Sequence, residues 1–448
     1  MRCLPLWSLC FVLLPAVPGA AQSDGPAVET AVDTLPNGLT VITVEDHAAP
    51  VVSFQVWVRT GSKNERPGIT GVSHLFEHMM FKGSRKYGPE EHARIVQGNG
   101  GVPNAFTTRD FTAYYDDFPS DRLELAVQLE AERFQNLSIT EENLKSEREV
   151  VKEERRLRTD NTPTGKAVEE LLATVYKAHP YSWPVVGWMS DLDALTLADC
   201  REYFRAHYAP NNAVIVVAGD TTPAEVMKLV RRHFGRWRRQ PPAAPVPTRD
   251  PEQKGERRVT LRMPAQAPLI LGGWHVPAAA HADLAVLEVI SNLLSNGKSS
   301  RLYQRLVHTD QTATAAAGGV FRLEHPGVFY AYAMVKPGED PKKVEDAYLA
   351  EVEKLKTEPI ADTELQKVRN QLESGHVFGL KRVHALGQEV AEAYLLEGSV
   401  DAFKTRLARW RAVTPADIQR VARTYFTVDN RTLITVLPDN PPPKNALR

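Results

Sequence analysis

A chain of 448 residues exceeds what one ordinary hydrophobic core accommodates, and its length alone suggests roughly two to four domains. With 43% hydrophobic and 24% charged residues it has the composition of a soluble globular protein, and a formal net charge of -1 argues against a polyanion-binding surface. Local basic runs, Arg231-Arg232 and Arg236-Trp237-Arg238-Arg239, read as solvated helix ends, so no nucleic-acid partner is expected.

The first 21 residues read as a secretory signal peptide. Arg2 supplies a positive start, Leu4 to Val17 is an apolar run too short for a membrane span, and Gly19-Ala20-Ala21 offers a small-residue cleavage site. Cys3 and Cys10 leave with that segment, Cys200 remains alone, and the expected address is periplasmic or extracellular. No other stretch is apolar enough to span a bilayer.

Asp33 to Val41 then predicts strand, Asn-Gly turn, strand, and Val51 to Arg59 another strand. After a polar loop, Gly61 to Thr70, comes Gly71-Val72-Ser73-His74-Leu75-Phe76-Glu77-His78-Met79-Met80. As a helix it projects His74 and His78 from one face at i and i+4, the separation at which two imidazoles share a divalent metal, with Glu77 reaching the same side. The order H-x-x-E-H is the inverse of the commoner zinc-peptidase motif. Taken alone, a histidine pair on an apolar helix is more often a hydrogen-bonded core pair, so the downstream residues decide.

Gly98-Asn99-Gly100-Gly101 breaks the chain before two strand candidates, Val102 to Phe106 and Phe111 to Tyr115. The glycines follow a helical pattern and open no helix, which excludes a nucleotide loop; Gly297-Lys298-Ser299 fails likewise, because Asn292 stands where the first glycine belongs. Thr140 caps a long helix running to about Leu157, with Glu147 and Glu154 on one face. Ala213 to Ala218 is a strand. The Pro-rich stretch 241–256 reads as an exposed linker between domains 22–240 and 257–448.

Beyond the linker the pattern begins again. Gly100-Gly101-Val102 is echoed by Gly318-Gly319-Val320, Tyr114 and Pro119 by Tyr332 and Pro337, Ile139, Leu144 and Arg148 by Ile360, Leu365 and Arg369, and Asn212 by Asn430. The pattern predicts an internal duplication. In the second copy the histidine helix becomes Leu284 to Ser295 without histidine, and Glu154 becomes Gly375, so the first half alone can carry a metal.

With His74-Leu75-Phe76-Glu77-His78, Asn104-Ala105-Phe106-Thr107, Tyr114-Tyr115, His179-Pro180-Tyr181 and Tyr208-Ala209-Pro210-Asn211-Asn212, nearly the whole chain resembles the pitrilysin, insulysin and mitochondrial processing peptidase family of zinc metallopeptidases. The resemblance implies an α+β fold of two homologous halves, each a mainly antiparallel sheet covered by helices. It implies one Zn²⁺ held by His74, His78 and Glu154, with Glu77 as general base and Glu147 in an orienting or proton-relay role. It also implies that Asn104, Ala105 and Phe106 lie on an edge strand that pairs with peptide substrates.

One departure from the family concerns the second half. Relatives carry there an arginine and a tyrosine seven apart that bind the substrate carbonyl; Val307 and Thr314 stand in those places, and Arg301 and Tyr303 have the wrong spacing. The expectation is therefore a heterodimer with a homologous subunit whose metal motif is degenerate, a homo-oligomer being the alternative. A non-catalytic structural or peptide-binding subunit of the same fold is the rival reading. Cys200 is expected as a buried small hydrophobe, His179 as a turn residue, and His207, His281, His308 and His376 without metal roles.

Overall fold

The structure, a computed structural model, describes residues 28–439; the expected signal peptide and the two cysteines within it lie outside the described residues. Two sheets organise the chain. The first contains β1 (Glu29–Thr34), β2 (Thr40–Glu45), β3 (Val51–Val58), β4 (Val102–Thr107), β5 (Thr112–Pro119) and β6 (Ala213–Gly219), in the order β1-β2-β6-β3-β5-β4. The Asn-Gly turn forms as the sequence predicts, with Gly38 at φ +91° and the Asn37 carboxamide receiving Leu39 N–H. β6 pairs in parallel with β2 and antiparallel with β3, and its seven residues are all buried, as a central strand covered on both faces requires. β4 pairs with β5 and forms the edge of the sheet.

The second sheet contains β7 (Arg257–Met263), β8 (Leu269–Val276), β9 (Ala313–Phe321), β10 (Gly327–Val335) and β11 (Arg431–Pro438), in the order β7-β11-β8-β10-β9. Apart from β1, this repeats the first sheet strand for strand, including the one parallel pair. The repeat reaches individual hydrogen bonds. Arg148 donates to Leu195 O and Arg369 to Val413 O, while Asn212 Nδ2 reaches His207 O at 2.9 Å and Asn430 Nδ2 reaches Tyr425 O at 2.7 Å. Thr196 with Asp199 and Thr414 with Asp417 form the same capping box.

One expected echo is not structural. Val102 opens β4, whereas Gly318 and Gly319 lie inside β9 opposite Ala331 and Tyr330. A side chain at Gly319 would meet the Tyr330 hydroxyl at 2.9 Å and its ring at 3.1 Å, so these glycines answer to packing within the second sheet rather than to a shared turn.

Five helices of the first half bear on the site: α1 (Val72–Met79), α2 (Glu91–Gly98), α3 (Leu123–Asn136), α4 (Glu141–Arg155) and α5 (Pro163–Val175). The first sheet packs one face against α1, α3 and α4 around Phe54, Leu75, Phe76, Leu129, Leu144 and Val151. Its other face is covered by the helix Val383–Glu397 of the second half, through Leu386, Val390 and Ala391 against Ile42, Trp57 and Val216. Reciprocally, α5 of the first half lays Ala167, Leu171 and Leu172 on Leu269, Leu271, Ile434 and Val436 of the second sheet. Each half therefore lends a helix to the other.

Residues 238–254 contain no regular structure. The stretch is anchored all the same: Asp250 accepts from the backbone N–H groups of Lys177, Ala178 and His179 at 2.8–3.0 Å, and the Gln253 side chain donates to Arg431 O at 2.8 Å.

Candidate metal centre

α1 is short, and its start is secured from outside the helix. Gly71 precedes it at φ +91°, where a side chain would meet Val186 O at 2.6 Å. The Glu65 carboxylate, from the preceding loop, accepts from Gly71 N and Ser73 N at 2.8 Å each, capping two otherwise unpartnered donors at the positive end of the helix. Ser73 Oγ lies 2.6 Å from the Tyr203 hydroxyl, and Phe76 stacks on Tyr203 and Phe204. The apolar face is thereby clamped and the rotation of the histidine pair set.

α4 starts as expected, with Thr140 Oγ1 accepting from Asn143 N, and ends its regular turns at Arg155 before widening into a π-turn over Arg156–Asp160. Leu144 and Val151 are buried against α1, which orients Glu147 and Glu154 toward the histidines.

His74, His78 and Glu154 converge. Glu154 Oε2 stands 3.6 Å from His74 Nε2 and 3.3 Å from His78 Nε2, and one donor atom from each residue falls within 4.8 Å of the others. Ligands about 2.0 Å from a tetrahedral ion stand about 3.3 Å apart, so the two imidazoles and the carboxylate fit a zinc-type ion with a position left over. Glu77 Oε2 lies 3.9 Å from His74 Nε2. Glu147 Oε2 lies 3.7 Å from His78 Nδ1, the ring nitrogen turned away from Glu154, and is itself held by Lys82 at 3.1 Å and Ser146 at 3.0 Å.

The acids draw positive charge to the triad, and a metal ion binding there would take the place of the proton on His78. Burial, with His78 adjacent, lowers His74 to about 4. Burial also opposes protonation of His78, but Glu147 and Glu154 outweigh it and raise it to about 9. Glu154 is held down to about 2, chiefly by its hydrogen bond with His78. Burial raises Glu77, against the pull of the Thr107 side chain.

β4 borders the same cavity. Phe106 and Thr107 line it beside His74, Glu77 and Glu154. Asn104 is exposed on β4, Ala105 is buried opposite Tyr114, and the Phe106 ring packs edge-on against Trp57. In the second half, Val307 packs against the apolar core and the Thr314 hydroxyl faces Met334 O at 3.4 Å. Arg301 forms a two-point pair with Glu364, at 2.9 and 2.6 Å.

Several contributors escaped the sequence reading. Arg158 meets Glu154 Oε1 at 2.6 Å and Lys82 meets Glu147; each follows a site residue by four, a helical spacing that could have flagged it. Glu65 carries no such signal, since its partners are backbone groups. A second set with ligand-like spacing, His92, Asp116 and Glu130, is fully buried, but Arg133 pairs with both Glu130 oxygens and neutralises it. Cys200 is buried, as expected, with its thiol pushed by burial up to about 12, and His179 accepts from Tyr181 N in a local turn.

Comparisons with known proteins bear on the family and the fold. Residues 40–187 match a family model described as Insulinase (Peptidase family M16), and residues 194–372 match one described as Peptidase M16 inactive domain. The protein named zinc protease PqqE from Helicobacter pylori is 32% identical over 441 residues, 98% of each chain. An uncharacterized zinc protease of Streptomyces coelicolor is 30% identical over 402 residues, 87% of this chain and 86% of its own. The crystal structure of a protease from Helicobacter pylori superposes with a TM-score of 0.88 at 30% identity, covering 92% of this chain and all (100%) of that one.

Proposed function

Because the chain belongs to the M16 insulinase family of peptidases, we propose that it is a zinc-dependent endopeptidase acting on extended peptides or unfolded polypeptides. The observation that carries this reading is the convergence of His74, His78 and Glu154, with Glu154 Oε2 at 3.6 and 3.3 Å from the two imidazoles, all three donors within 4.8 Å of one another, and the Glu77 carboxylate alongside. Relatives named as zinc proteases support the choice of metal.

His74, His78 and Glu154 hold the ion. Zinc in such a site supplies a Lewis acid toward a peptide carbonyl and acidifies water. Glu77, raised by burial, takes the proton of the attacking water and delivers it to the leaving amine. Glu147 orients His78 through its distal nitrogen, and Arg158 fixes the second oxygen of Glu154. The outer edge of β4, at Asn104, Ala105 and Phe106, receives the substrate main chain as an added strand.

Val307 and Thr314 offer no cation or phenol for the substrate carbonyl, and an oxyanion without donors costs orders of magnitude in rate. The chain is accordingly read as the catalytic subunit of a heterodimer whose homologous partner supplies that pair. Its working parts are the zinc-binding half at 22–240, the linker at 241–256 and the metal-free half at 257–448. The leader at 1–21 adds export to a periplasmic or extracellular setting; among the described residues no helix is long and apolar enough to cross a membrane.

The test is zinc content and hydrolysis of an internally quenched peptide, measured for the chain with Glu77 and with Glu77→Gln, each with and without a co-purified homologous chain. One zinc per chain and activity abolished by the substitution are expected. A chain without zinc favours the non-catalytic subunit, and robust turnover by the chain alone removes the partner.

A further inference from the structure

The cavity beside His74, Glu77 and Glu154 is lined by three arginines, Arg109, Arg155 and Arg158. Two are committed. Arg155 Nη1 donates to Glu169 Oε2 and Gly187 O, both at 2.8 Å, with Asp160 at 3.1 Å from Nη2, and Arg158 is paired with Glu154. Arg109 differs: among the described residues no carboxylate lies within ion-pair distance of it, while its Nε, like that of Arg155, is buried without a hydrogen-bond partner. Its guanidinium carbon lies over the Phe321 ring, 5.7 Å from the centroid.

The isolation of Arg109 is built in. Its neighbour Asp110 is turned into a separate buried network, taking Lys63 Nζ at 2.9 Å, the Tyr181 hydroxyl, and Glu324 N at 3.1 Å. The backbone is fixed as well. Ser62 N donates to Thr108 O at 3.2 Å and Lys63 N to Arg109 O at 3.0 Å. Gly61 permits this approach, since a side chain there would fall 2.4 Å from Thr108 O. A half-buried guanidinium whose Nε has lost water and that has gained no acid lowers its free energy by meeting an anion, and its planar fork matches a carboxylate.

We propose that Arg109 is a specificity-determining residue that selects an acidic substrate side chain beside the scissile bond. This rests on the peptidase reading of the same site. Thr107 flanks Glu77, and Arg109 follows two residues later, past the end of β4. The Thr108 N to Phe111 O bond closes a turn there, so the guanidinium serves a side chain at the end of the added strand, next to the span that pairs with β4. Of the three cavity carboxylates, Glu169 is held by Arg155 and Lys166, Glu154 by Arg158 and His78, and Glu77 faces His74 at 3.9 Å; none lies within ion-pair distance of the Arg109 guanidinium.

The test uses the full chain carrying Glu77→Gln, so that bound peptide is not consumed, and fluorescein-labelled peptides of one scaffold in which successive positions are Glu, Gln or Lys. At one position Glu should bind about tenfold to a hundredfold more tightly than Gln, the range of a charge-assisted pair. Adding Arg109→Glu should invert the preference toward Lys, with circular dichroism checking the fold. Equal affinities at every position, or a Glu preference that survives Arg109→Glu, overturns the proposal. The Glu-against-Gln comparison needs no change at Arg109, so a misfolded variant does not remove the test. Hydrolysis of the same peptides by the zinc-loaded chain with Glu77 intact separates the two readings. Cleavage indifferent to charge sinks the selector and leaves the peptidase, whereas charge-selective binding without cleavage by the chain or its heterodimer leaves the selector and sinks the peptidase.

Discussion

Replacing Glu65 with alanine removes the outside support of α1 without touching a proposed ligand. Two backbone donors, Gly71 N and Ser73 N, lose acceptors at 2.8 Å, and both bonds are buried. Each orphaned buried donor costs about 1–3 kcal/mol, and water entering the vacated volume recovers part of it, so a loss of about 2–4 kcal/mol is expected. Ser73 adjoins His74, and fraying there disturbs the pair of imidazoles that must stand together. Zinc affinity should fall about tenfold to a hundredfold, the scale seen when groups supporting metal ligands are removed. Glu65→Gln, which keeps one acceptor oxygen, should lose about half as much stability. Urea unfolding measures the first quantity and competition with a chromophoric chelator the second. An alanine variant within about 0.5 kcal/mol of the parent in stability and about twofold in affinity would refute the view that the cap positions the centre.

The exchanged helices make a second prediction. Leu171 on α5 is fully buried against the second sheet, so Leu171→Ala should cost about 2–5 kcal/mol and lower a single shared unfolding transition rather than split it; two separated transitions by calorimetry would contradict the exchange. A third concerns pH. Burial lowers His207 to about 4, whereas an unfolded histidine binds its proton near 6.5, so the folded state loses stability as pH falls through that window. Between pH 6.5 and 5 the loss is about 1–2 kcal/mol, and His207→Gln should remove that part of the pH dependence of the urea midpoint.

Much of the site was legible because helical spacing carries it. His74, Glu77 and His78 lie within two turns of one helix, so their shared face follows from 3.6 residues per turn before any packing is known. Glu147 and Glu154 share a face of α4 for the same reason. The repeat was legible too, in Arg148 and Arg369, and in Asn212 and Asn430, because each pair makes the same side-chain bond to the backbone. The glycine echo at Gly318 misled, since glycine serves a turn before β4 and close packing inside β9, and the letter does not distinguish them.

By itself the sequence determined the strands, the histidine helix, the duplication and the confinement of metal-type residues to the first half, all consequences of local periodicity and side-chain chemistry. Tertiary structure alone decided that each half covers the other's sheet, that Glu65 secures α1, and that Asp110 turns from Arg109 toward Lys63 and Tyr181. Those facts depend on which surfaces meet across long stretches of chain, where burial and the demand that every buried polar group find a partner choose among arrangements that local pattern leaves equal.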